Sequence, residues 1–158
     1  MENIYEYPSL FIKNAKDPPF CVVKNGYYHI SMEELSEFGY AITENSLEKV
    51  IDVEYSRVKE DYCLELPWLG KALKITKNTQ LALTEISAVQ IFLLKREGDY
   101  VRRREIIAHT ITSKSESRSI RASSEGVIVF IGSSSLSNPE VYVVAVANSD
   151  SVEWFRRA

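Results

Sequence analysis

The pattern of apolar and polar residues is clearest on either side of Asn25-Gly26. In FCVVKNGYYHIS, Phe20 to Ser31, two apolar runs flank the dipeptide best suited to a type I′ turn, where both central residues need positive φ. A two-residue turn there sets a hairpin register, with Lys24 opposite Tyr27, Val23 opposite Tyr28, Val22 opposite His29 and Cys21 opposite Ile30.

The pattern then changes to helical spacing. Ser31 starts a short helix with Glu34 at the capping-box position and Gly39 at its end. A second helix starts at Asn45 with Glu48 three residues on, and Leu47, Val50, Ile51, Tyr55, Val58 and Tyr62 recur at its period through residue 62. Glu54 falls inside that stripe, which places it at the stripe's edge or against an arginine of the sheet.

From Leu81 the runs become extended: LALTEISAVQIFLLKR, YVRRREIIAHTIT, SRSIRA, VIVFIG and VYVVAVA, separated by polar turns such as Glu97-Gly98-Asp99. Residues 82–94 could also form a buried helix, but their Ile, Val and Phe content and the turn that follows favour strand. VIVFIG and VYVVAVA are apolar on both faces, which puts them centrally in the sheet with helices covering at least one side. The predicted fold is α+β: an antiparallel sheet, made of the N-terminal hairpin and a C-terminal meander, packed against two helices from residues 31–62. One globular domain spans residues 1–158.

Composition agrees with a single domain, since 158 residues at 45% hydrophobic and 26% charged can bury an ordinary core. Cys21 and Cys63 lack a CxxC spacing and with only His29 and His109 make no zinc site unless carboxylates complete the ligand set; no metal and no cofactor are expected. The opening MENIYEYPSLFIK carries acids before any base and no long apolar run, so the expectation is neither a signal peptide nor a membrane span, and a reducing, cytoplasmic setting.

The net charge of −3 is segregated along the chain. Residues 33–66 hold ten acids against three bases, whereas residues 95–121 hold eight bases against four acids. The Arg102-Arg103-Arg104 run suggests a nucleic-acid surface. If Tyr100 to Thr112 is one strand, however, period two sends Arg102 and Arg104 to one face and Arg103 to the other.

Catalytic patterns are weak. Cys21 and His29 are one step out of hairpin register and point to opposite faces, which argues against a nucleophile and base. His109 has Glu105 on its own face and no nucleophile motif, Gly132-Ser133 lacks the second glycine of a nucleophile elbow, and phosphate-loop fingerprints are absent. Trp68, in a loop bounded by Pro67 and Gly70, either anchors a partner or plugs the end of the core. The leading expectation is therefore a non-catalytic protein-binding protein whose acidic helical face, Glu33, Glu37, Glu44, Glu48 and Asp52 together with Trp68, meets a basic protein partner; an immunity protein neutralising a basic nuclease would have this design. The alternatives are a nucleic-acid binder using Lys95, Arg102, Arg104 and Arg118, and a small enzyme centred on His109 with Glu105 or Glu54.

Overall fold

The computed structural model describes residues 7–41, 46–133 and 140–158. Of these, 56% lie in strands and 7% in helical turns. The first half of the chain contributes β1 (Ser9–Lys13), β2 (Phe20–Lys24), β3 (Tyr27–Ser31), β4 (Phe38–Ala41), a one-turn helix α1 (Leu47–Val50), β5 (Ile51–Asp52), β6 (Arg57–Val58), β7 (Tyr62–Leu66) and β8 (Lys71–Ile75). The second contributes β9 (Leu81–Ala88), β10 (Gln90–Leu93), β11 (Tyr100–Val101), β12 (Ile106–Ile111), β13 (Ser117–Arg121), β14 (Gly126–Ser133), β15 (Glu140–Ala147) and β16 (Glu153–Arg157).

Seven strands close into a barrel in the order β1-β4-β2-β3-β16-β8-β7, with the last chain segment inserted between β3 and β8. Beside it lie a four-stranded sheet, β11-β14-β15-β9, a three-stranded sheet, β10-β12-β13, and the small β5-β6 hairpin. Every pair is antiparallel except β16 with β3.

Strand alternation sorts the apolar residues into three clusters. Phe11, Cys21, Tyr28, Phe38, Cys63, Ala72 and Phe155, drawn from seven barrel strands, fill the lumen. The residues next to them on the same strands, including Leu10, Leu64 and Leu73, join Val127, Val129, Val143 and Ala145 of the four-stranded sheet, so one core runs from the barrel's outer face into the sheet. On the sheet's other side, Ile128, Val144 and Val146 meet Ile107, Ala108 and Ala122. The central position expected for VIVFIG and VYVVAVA is thus found, but strands cover both faces where helices were expected.

The hairpin at Asn25-Gly26 forms in the expected register, from Lys24 opposite Tyr27 to Cys21 opposite Ile30. Its two turn residues take φ of 53° and 81°. Leu81–Ala88 and Gln90–Leu93 are strands, divided at Val89 between two sheets, and Glu97-Gly98-Asp99 turns the chain with Gly98 at φ 90°. The α+β expectation is overturned, because only one α-helix, of four residues, occurs among the described residues.

At Ser31 the cap forms without the helix. Its hydroxyl accepts the backbone N–H groups of Glu33 and Glu34, yet the chain continues as a bend into β4. Met32 and Leu35 are exposed, so a helix here would have had no apolar face to bury. Gly39 ends no helix, and serves instead to let β4 pass against the Ala15 carbonyl, where any Cβ would collide.

The second expected helix stops after one turn. Val50, Ile51, Val53 and Val58 branch at Cβ and lose χ1 freedom in a helix. Asp52 supplies an alternative, as its carboxylate accepts the Tyr55 N–H at 3.2 Å and binds Arg57 at 3.3 Å across a turn in which Ser56 takes φ 51°. Of the expected stripe, Leu47, Val50, Ile51, Val58 and Tyr62 are buried through a turn, a hairpin and a strand, whereas Tyr55 is exposed on the turn between β5 and β6. The expected N-cap, Asn45, lies outside the described residues.

Candidate functional site

The two helices expected to carry the acidic face do not form among the described residues, and the described carboxylates of that face stand on different elements. Glu33 and Glu37 stand on the connection between β3 and β4, and Glu37 borders a depression with Asn14, Lys16 and Leu35. Glu48 and Asp52 border a different groove, and Glu44 lies outside the described residues.

That second groove, of about 570 Å³, is the more informative one. Its apolar floor is Leu47 and Ile51 from one wall and Val141 and Val143 from the other. Glu48, Asp52 and Glu85 supply carboxylates at its rim from α1, β5 and β9. Glu85 is brought there by pairing with Val143, a partner 58 residues away that no local spacing announces. Asp52 is partly neutralised by Arg57, and the Lys59 ammonium donates to the Glu48 backbone carbonyl at 3.1 Å. Glu48 and Glu85 enter no ion pair among the described residues. Glu54 sits exposed on the β5-β6 turn, away from any stripe.

Trp68 is half-buried on the 3₁₀ turn between β7 and β8 and packs against the shared core. The Arg96 guanidinium lies 3.3 Å from its ring centroid, so one face of the indole is covered from within the molecule. This geometry fits a plug at the junction of barrel and sheets. Next to it Glu97 is buried, and burial pushes its carboxyl above the ordinary glutamate range.

The arginine run is a turn rather than a strand. The Arg102 N–H donates to the Glu105 carboxylate at 2.9 Å, Arg104 takes φ 70°, and all three arginines are exposed. Lys95 is bound to Glu105 at 2.7 Å and Arg118 to Glu116 at 3.2 Å, so two of the four cations expected to grip nucleic acid are matched locally. The Lys95 ammonium holds the Glu105 carboxyl below its usual range.

His109 is accordingly not joined to Glu105. Its Nδ1 meets the Ser119 hydroxyl at 3.2 Å on an exposed face between Phe92 and Ser119, a contact that follows from register and has no sequence motif. His29 binds Glu34 at 2.8 Å on the exterior, while Cys21 is in the lumen, as their opposite hairpin faces require. Contact with the Cys21 thiol, together with burial, holds the Cys63 thiol protonated far above its ordinary range. Among the described residues no three His, Cys, Asp or Glu side chains gather as a metal site, and no helix is long and apolar enough to cross a membrane.

No curated protein matches the chain in sequence. A family model described as "Uncharacterized protein conserved in archaea (DUF2118)" matches residues 5–149, which takes in the whole of both sheets and all of the barrel except β16. The chain belongs to this archaeal family.

Proposed function

We propose that this protein is a non-catalytic binding protein that receives a positively charged, extended segment of a protein partner in the groove between α1, β5 and the four-stranded sheet. The observation that carries this reading is the arrangement of Glu48, Asp52 and Glu85 around an apolar floor. Carboxylates at a rim steer a cationic segment and fix its orientation, while apolar side chains beneath supply contact area. The acidic helical face that made an immunity role attractive has lost its helices, and the reading now rests on the groove alone. Two unbridged, buried thiols are in keeping with a reducing, cytoplasmic setting.

Titration of an extended peptide of alternating lysine and valine, followed by calorimetry, tests the groove. Reversing both unpaired carboxylates, Glu48→Lys with Glu85→Lys, is expected to weaken binding about tenfold or more, equivalent to about 1.4 kcal/mol. Both side chains are exposed, so thermal stability should change little. Equal affinity in parent and double variant would remove the proposal's support.

A further inference from the structure

The exterior of the barrel carries a second surface of opposite charge, on strands far from the groove in sequence. Lys24 pairs with Tyr27, Tyr27 lies beside Arg156, and Arg156 pairs with Lys71. Directly paired residues share a face, so these four form one row across β2, β3, β16 and β8, about 14 Å long at the usual strand spacing. All four are exposed, Tyr27 at 52%. Lys24, Lys71 and Arg156 enter no ion pair among the described residues.

An aromatic shelf adjoins the row. Trp154 is two residues before Arg156 on the same face of β16, and the Lys71 ammonium stands 5.7 Å from its ring centroid. A depression of about 450 Å³ lies here, bordered by Asn25, Tyr27, Lys71, Trp154 and Arg156 with no acidic residue on its rim. Glu153, the acid of β16, points to the other face and pairs in register with Lys74.

We propose that this face binds single-stranded nucleic acid, with backbone phosphates along Lys24, Arg156 and Lys71 and a base stacked on Tyr27. Cations track a phosphate backbone, and exposed rings accept any base through its π face. An acidic polypeptide would satisfy the cations and leave the ring without a role. A duplex would hide the bases that the ring can stack. The overall negative charge keeps such binding modest and strongly dependent on salt.

Fluorescence anisotropy with a labelled oligothymidylate of about twelve nucleotides, within the usual site sizes for such grooves, tests the assignment. Three phosphate contacts predict a slope of log K against log salt of about −2. Tyr27→Ala should weaken binding about tenfold, while Tyr27→Phe, which keeps the ring, retains it. Arg156→Glu should abolish binding without lowering the melting temperature, and the combined Arg102→Ala, Arg103→Ala, Arg104→Ala variant should bind as the parent does. The proposal is overturned by absence of binding at about 50 mM salt, by polyglutamate of equal charge competing as well as the oligonucleotide, by Tyr27→Ala binding like the parent, or by loss of binding in the triple arginine variant.

Discussion

Glu97 shows how a single residue can report on the junction between barrel and sheets. Burial disfavours its charged form more than the nearby Arg96 guanidinium favours it, so its folded-state pKa lies above the unfolded one. The folded state therefore prefers the protonated carboxyl. Stability tied to that preference is complete below the unfolded value and is lost as pH rises through the folded value. Glu97→Gln, neutral at every pH, should therefore be more stable than the parent near neutrality, with the difference vanishing below about pH 4. Urea denaturation at the two pH values checks this; a constant difference would place the cause in packing rather than ionisation. Little of this was visible in a list of residues. Glu97 reads as one acid of a polar turn, and it is the close approach of Gly98 to Leu66, Leu69 and Trp154, with Arg96 stacked on Trp68, that sets that turn against the barrel.

Among the elements, the ones most faithfully legible in the chain are those whose chemistry is local. Asn25-Gly26 can take the two positive φ angles of a tight hairpin, and that requirement alone places five cross-strand pairs. The arginine turn between β11 and β12 is the opposite case, because a non-glycine residue, Arg104, holds φ 70° there. The left-handed conformation costs an L-residue roughly 1–2 kcal/mol, of which glycine recovers part after its larger loss of chain entropy. Arg104→Gly is therefore expected to raise stability by about 0.5–1 kcal/mol, read as a higher urea midpoint at unchanged m-value. The two expected helices fail for different reasons: the Ser31 segment has no apolar face to bury, whereas the second has one but needs no helix to bury it. Leu47, Val50, Ile51, Val58 and Tyr62 satisfy a helical period, but their burial needs only that each reach the core, and β-branched residues with an Asp52-Arg57 pair reach it more easily as a hairpin.

For the whole molecule, the core shared between barrel and four-stranded sheet ties two sheet systems into one packing unit. Leu64, Leu73, Val129 and Val143 lose their partners together if either side opens, so calorimetry should show one unfolding transition with equal calorimetric and van't Hoff enthalpies. Two separated transitions would mean that barrel and sheets fold independently. The two surfaces proposed for binding are also properties of this scale. Glu85 reaches the groove that Glu48 lines through a pairing with β15, and Lys24, Tyr27, Lys71 and Arg156 form a row because β16 inserts between β3 and β8. The chain's own signal for the row, Trp154-Phe155-Arg156-Arg157, shows alternating faces without saying what lies beside them. By itself the sequence determined the strands with local turn chemistry, the burial of Leu47, Val50, Ile51, Val58 and Tyr62, the central place of β14 and β15 and the separation of Cys21 from His29, since these depend on period and turn geometry. Closure of the barrel, the strands that cover the central sheet, the dispersal of the acids and the gathering of the cations were decided by tertiary pairing, because which strand lies beside which is set by contacts between residues distant in the chain.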